Sequence, residues 1–235
     1  MARTATLALV LCCFAGAPAA AADNLMLRQR TSTTGGSPVQ SGTRVQTQYF
    51  SGSRMVTDDT HLRSIVDLEH KTLTLVDKDR KTYGTHTFDE LREQMEEARK
   101  HLDELPPEAR KLLALDASAV HVTPTGRTDD IAGYSAKEYS VDGGPAKGTV
   151  WIADALPVPA EARDWERLSA NLGGPGNPGG ALAAALARLD GVPLRTSMTV
   201  ALGSETIGMT TEVVEVRRAT PDPVLLEVPA GFKKE

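Results

Sequence analysis

The sequence predicts an α+β fold: one large antiparallel sheet with helices inserted on one face. Three observations predict it. Residues 43–83 hold short runs of alternating apolar and polar residues divided by polar turns. Residues 87–105 carry one strong helical period. From Leu194 to Leu202 the chain alternates without interruption, with Leu194, Thr196, Met198, Val200 and Leu202 set against Arg195, Ser197, Thr199 and Ala201. Strands, then a helix, then strands, helices and strands again is an order that segregates helices to one side of a sheet.

Ahead of these elements, residues 1–22 read as a cleavable secretory signal peptide. Arg3 supplies the positive start, Thr6 to Gly16 the short apolar run, and Ala20-Ala21-Ala22 the small residues at the cleavage position. The apolar run is too short for a membrane span. Cys12 and Cys13 lie inside it, preceded by Leu11 and Cys12 instead of a small residue, which argues against lipoprotein processing. Cleavage after Ala22 leaves residues 23–235 as a single cysteine-free domain, periplasmic or secreted, with no disulfide and no thiol chemistry. That length buries about 70% of the unfolded surface.

The formal charge is −5, and loss of Arg3 makes it one unit more negative. Basic residues are interleaved with acids, as in Asp77-Lys78-Asp79-Arg80-Lys81. Without a cationic cluster, nucleic acid is excluded as a partner and an anionic membrane surface is disfavoured. No later apolar stretch is long enough to cross a bilayer, so an integral membrane protein is not expected.

The elements follow in order. Thr43–Phe50 alternates, Ser51-Gly52-Ser53 turns, and Arg54-Met55-Val56 returns. Leu62–Leu68 and Leu73–Val76 are two further strands, followed by a charged turn and Thr82-Tyr83. Thr87-Phe88-Asp89-Glu90 forms a capping box. Behind it Phe88, Leu91, Met95, Ala98, Leu102 and Leu105 share one helical face, which Pro106-Pro107 terminates. Glu108–Leu115 is read as a second short helix. Strands resume at Ala119–Thr123, Ile131–Tyr134, Lys137–Val141 and Thr149–Ala153, with Trp151 opposite Val150 and Ile152. Pro159–Leu172 is read as helical, Gly173–Gly180 as a flexible break, and Ala181–Leu189 as a small helix presenting Leu182, Leu186 and Leu189. After the Leu194–Leu202 strand, Ile207–Val213 continues the sheet. The adjacent Val213-Val214 shifts the apolar phase, which suits a bulge. Leu225–Val228 is read as a last strand.

Motifs that would carry chemistry do not hold together. Gly174-Pro175-Gly176-Asn177-Pro178-Gly179 spells G-x-G-x-x-G, but helix precedes it and two prolines remove amides that a phosphate would need. His61, His70, His86, His101 and His121 show no helical ligand spacing, and no cysteine assists them, so no metal or other cofactor is expected. Gly133-Tyr134-Ser135-Ala136-Lys137 fails the nucleophile-elbow pattern at its last position. The carboxylate pairs, Glu96-Glu97 and Asp129-Asp130 among them, read as solvated surface. The chain is not expected to be an enzyme. Trp151 and Trp165 serve as packing anchors, or one of them lines an apolar cavity. Met55, Met95, Met198 and Met209 suit irregular core gaps or varied apolar chains equally. The residues expected to line such a cavity are Leu91, Met95, Leu102, Trp151, Leu182, Leu186 and Met198.

The order of several short segments resembles exported bacterial domains of unknown function related to the outer-membrane lipoprotein carrier (LolA/LolB-like) superfamily. The segments are Tyr49-Phe50-Ser51-Gly52-Ser53-Arg54-Met55, Ile65-Val66-Asp67-Leu68 with Leu73-Thr74-Leu75-Val76-Asp77, and Lys81-Thr82-Tyr83 before the Phe88 helix. Ile131-Ala132-Gly133-Tyr134, Glu138-Tyr139-Ser140-Val141, Thr149-Val150-Trp151-Ile152-Ala153 and the closing Glu227-Val228-Pro229-Ala230-Gly231-Phe232 complete them. The likeness covers most of Gln40 to Lys234. It implies a strongly curved, half-open, unclosed β-barrel with helices over its concave face, sheltering acyl chains. No ligand-gating residue of the carriers has a matching motif here. On this basis the expected role is a periplasmic carrier or binding protein for lipid, lipoprotein acyl chains or another apolar ligand. The Phe88–Leu105 and Ala181–Leu189 helices would be its lids. The alternative is a non-catalytic structural or interaction module of the cell envelope with a protein partner.

Overall fold

The computed structural model describes residues 24–35, 41–104, 120–143, 146–156, 185–186, 188–189, 191–202 and 205–235. The signal-peptide region, the Glu108–Leu115 and Pro159–Leu172 helices and the Gly173–Gly180 break lie outside them. Of Ala181–Leu189, only Ala185, Leu186, Arg188 and Leu189 are described, the first two as helix.

The first half of the chain forms β1 (Leu25–Thr34), β2 (Gly42–Ser51), β3 (Arg54–Asp58), β4 (Leu62–Asp67), β5 (Thr72–Asp77) and β6 (Thr82–Thr87), then helix α1 (Phe88–Asp103). The second half forms β7 (His121–Ile131), β8 (Tyr134–Gly143), β9 (Ala146–Ala153), β10 (Val192–Leu202), β11 (Glu205–Arg218) and the two-residue β12 (Lys233–Lys234). All twelve strands join one sheet in the order β12-β6-β5-β4-β3-β2-β1-β11-β10-β9-β8-β7. The end strands β12 and β7 do not pair with each other, so the sheet stays unclosed as a half-open barrel. Every ladder is antiparallel except β12–β6, which is parallel.

Strand β1 sits at the centre, between β2 and β11, and closes the two halves of the chain into one sheet. The sequence pattern does not announce it. Leu25, Met26 and Leu27 are all buried, because both sheet faces are covered at that end, and consecutive burial erases the period-two signal. The bulge expected at Val213-Val214 is present: Gln29 pairs with Val213 and Arg28 with Glu215, leaving Val214 as the extra residue.

Two segments differ from expectation. Ile131–Tyr134 is the β7–β8 hairpin turn, with Ala132 and Gly133 both at positive φ (51° and 85°), the geometry that matches strand twist in a two-residue loop. Leu225–Val228 is not a strand. Asp222 accepts a hydrogen bond from the Val224 amide at 3.0 Å and, with Pro223, starts a 3-10 turn over Pro223–Leu226 instead.

Helix α1 begins where the capping box places it. The Thr87 amide donates to the Glu90 carboxylate at 2.7 Å, and the Glu90 amide donates to the Thr87 hydroxyl at 3.1 Å. Phe88 is buried in a core cluster with Leu25, Leu27, Phe50, Met55, Val66 and Leu73, and Leu91 packs against it. This is the one helix of length among the described residues, and it covers one end of one sheet face. A second cluster holds Val141, Ala146, Val150, Ile152 and Met198, with Leu186 and Leu189 against it.

Candidate functional site

Paired residues in a sheet share a face, and residues two apart along a strand stay on it. Three parallel rows therefore lie on one face of β2–β6. The first, Phe50–Met55–Val66–Leu73–His86, is apolar and buried up to Leu73, beneath the start of α1. The second is Gln48–Thr57–Ser64–Leu75–Gly84. The third runs from Leu62 through Asp77 to Thr82. A groove of about 450 Å³ opens over the second and third rows, with Arg44, Gln46, Asp59 and Glu235 at its sides. That volume falls in the range of small-molecule sites.

The groove surface is more apolar than polar. Leu62 and Leu75 are diagonal neighbours on β4 and β5, and each is 48% exposed. The apolar character of the buried first row thus continues into solvent. Gly84 has a positional reason: a Cβ there would lie 3.2 Å from Nε2 of His86, so the glycine leaves room for the imidazole across the groove floor.

The charged groups at the margin are already satisfied. Asp59 accepts the amides of His61 and Leu62 at 2.7 and 2.9 Å and pairs with Arg44. Burial pushes the Asp59 carboxyl up, but those two amides and the Arg44 guanidinium outweigh it and hold the pKa below the ordinary carboxylate value. Asp77 accepts the amides of Asp79 and Arg80 at 3.0 and 2.8 Å. Arg63 points to the opposite face, donating to Asp58 at 2.7 Å and to the Val224 and Glu227 carbonyls at 3.0 and 3.3 Å. It fastens the C-terminal 3-10 turn to the back of the sheet.

Of the seven residues expected to line a cavity, Leu91, Met95, Trp151, Leu186 and Met198 do not line this groove. Leu91 packs on the first core cluster, and Met95 is half-buried further along α1. Leu102 falls within the α1 span, and Leu182 lies outside the described residues. Met198 is buried in the second cluster, where Leu186 covers it. Trp151 is paired in register with Arg195, and Met198 stands three residues beyond Arg195 on the same strand, so the two point to opposite faces. Trp151 packs against the first core cluster and stands in register beside Glu138, which is 3% exposed and bonded by Thr125 and Arg127. The groove residues Leu62, Leu75, Gly84 and His86 carried no distinguishing motif. A signal existed in Leu73 and Leu75, which share a face although only one is needed for the core.

No group of three or more His, Cys, Asp or Glu side chains among the described residues is arranged to hold a metal ion. No helix among them is long and apolar enough to cross a membrane.

A comparison with curated proteins finds no match. Among solved structures the chain is similar to PNGF-II, at 12% identity and a TM-score of 0.42, over 90% of this chain and 31% of that one. The chain therefore spans about a third of the length of that protein. It is also similar to a LolA superfamily protein from Nitrosomonas europaea, at 10% identity and a TM-score of 0.30, over 88% and 91% of the two chains. A third is an outer membrane lipoprotein-sorting protein domain from Vibrio parahaemolyticus, at 8% identity and a TM-score of 0.30, over 86% and 88%. Likenesses at these scores carry no argument about ligand or activity. The family assignment is firmer, for residues 40–232 match one family's model, and the chain belongs to that family, a domain of unknown function (DUF4412).

Proposed function

We propose that this chain is an exported, non-catalytic binding or carrier protein that shelters an apolar ligand in the β2–β6 groove. The observation that carries the reading is the exposed pair Leu62 and Leu75, set in a groove of ligand size and continuous with the buried row beneath α1. Fully burying one leucine contributes about 1.5–3 kcal/mol, and each ligand methylene removed from water adds about 0.8 kcal/mol. Each leucine is already half buried, so covering it contributes about half of that; together with about twelve covered methylenes the two reach micromolar binding at the low end of the association cost, about 4 kcal/mol. The signal-like residues 1–22 support export, and a carrier is useful in an aqueous compartment that apolar molecules must cross.

Native mass spectrometry of protein recovered from exporting cells, followed by titration of the delipidated protein with an acyl probe, tests this. Co-purifying lipid or saturable probe binding, lost in Leu75→Asp, is the expected result. Delipidated protein that ignores acyl probes would sink the reading and leave the interaction module in its place.

A further inference from the structure

We infer that the ligand is a neutral amphiphile, its alkyl chain laid over Leu62 and Leu75 and its uncharged, hydrogen-bonding headgroup set at Ser64, between Thr57 on β3 and His86 on β6. This rests on the apolar-ligand reading above and adds the chemistry of the headgroup. Ser64 pairs in register with Thr57 on one side and Leu75 on the other, so the Ser64 hydroxyl adjoins the exposed leucine and the Thr57 hydroxyl lies one strand further along the same row. His86 lies one row nearer α1, its ring crossing the space that Gly84 leaves open. The side chains of all three are half-buried, and none has a hydrogen-bond partner among the described residues. Such groups are open to water, and a ligand that displaces that water must supply hydrogen bonds in its place.

The arginines around the same floor are already committed. Arg44, the cation at the groove side, is committed to Asp59. Arg63 is turned to the back of the sheet and hydrogen-bonded there. An anionic headgroup would meet carboxylates with no arginine to spare. A cationic one would have to take Asp59 from Arg44 and two amides, compete with two amides for Asp77, or settle for the exposed Glu235, where a surface pair contributes little. Moving an uncompensated charge onto a half-buried floor costs more than moving a hydroxyl that finds a partner.

The experiment compares three twelve-carbon amphiphiles, each below its micelle concentration, on the delipidated full-length mature protein by calorimetry: monolauroylglycerol, laurate and dodecyltrimethylammonium. Monolauroylglycerol is expected to bind at least tenfold tighter than either charged probe. His86→Leu and Ser64→Ala, checked for folding by circular dichroism, are expected to weaken monolauroylglycerol more than laurate and so shrink that preference below about threefold. Leu75→Asp is expected to weaken all three probes. A charged probe that binds as tightly as the neutral one overturns this inference and leaves the apolar-ligand reading intact. An unchanged preference in both floor variants also overturns it. Failure of all three probes to bind removes the underlying reading as well.

Discussion

The guanidinium carbon of Arg195 lies 5.8 Å from the centroid of the Trp151 ring, while its nitrogens reach Glu212 and Asp129 at 2.9 Å each. In register, Glu138, Trp151, Arg195, Glu212 and Arg30 form one row across β8, β9, β10, β11 and β1. The hydrogen bonds to Glu212 and Asp129 hold this cation in place, and the one to Glu212 raises its pKa further. The row fixes the relative register of five strands on the face opposite Met198. Arg195→Met is expected to lower stability by about 1 kcal/mol, the scale of a partly exposed cation–π contact with an ion pair. Urea unfolding followed by tryptophan emission measures it, and binding of acyl probes should not change. A variant that unfolds normally yet loses binding would relocate the site to the Trp151 face.

Gly148 on β9 pairs with Met198 on β10, and a Cβ at Gly148 would stand 1.9 Å from the Ser197 carbonyl oxygen and 2.9 Å from the Met198 Cα. These are backbone atoms, so relief requires β9 and β10 to move apart. Gly148→Ala should therefore cost about 3 kcal/mol, the upper end of ordinary overpacking. Thermal denaturation would show a clear drop, whereas an unchanged midpoint would mean that these strands are not so closely apposed.

The Thr87–Glu90 box predicts its own variant. Thr87→Ala removes the hydroxyl that accepts the Glu90 amide and should cost about 1 kcal/mol. The hydrogen bonds from Thr87 hold the Glu90 carboxyl below its ordinary value, so its contribution is present at neutral pH and is lost as pH falls through the folded pKa. Helix content and urea midpoint, measured together, check whether α1 frays from this end.

This box was legible in the sequence for a physical reason. Its partners are three residues apart, and local spacing is what a sequence displays directly. The Val213-Val214 bulge was legible likewise, because an extra residue shifts the apolar phase within one strand. The centre of the sheet was not. Leu25-Met26-Leu27 shows no alternation, since its burial comes from long-range pairing with Phe50, Tyr49 and Arg218. The groove was hidden for the same reason. Leu62, Leu75 and Gly84 come together only through register across β4, β5 and β6, and each alone looks like an ordinary strand residue. The apolar residues that did stand out, Leu91 and Met198, stood out because they belong to the core.

A pH dependence follows from the β4–β5 turn. Asp67 accepts the His70 amide at 2.9 Å, and its other oxygen lies 2.9 Å from Nδ1 of His70. The hydrogen bond to Asp67 raises the His70 pKa above 6.5. Burial pushes Asp67 up, but the His70 amide, the imidazole and Arg54 outweigh it and hold the carboxyl below 3.8. A raised histidine contributes stability below its unfolded pKa and loses it as pH rises through the folded value. A depressed aspartate contributes above its unfolded pKa and loses it as pH falls through the folded value. The pair therefore helps most between pH 3.8 and 6.5. His70→Gln should remove a decline in the urea midpoint above pH 6.5, and superimposable profiles for the two proteins would refute the coupling.

The most direct measurement is photo-crosslinking of the delipidated protein with a diazirine-bearing acyl probe, the labelled peptides being read by mass spectrometry. Label concentrated on residues 57–64 and 75–86, and lost in Leu75→Asp, is the result expected if the β2–β6 groove holds the ligand. Label on the Trp151–Arg195 face, or no saturable label at all, would contradict it.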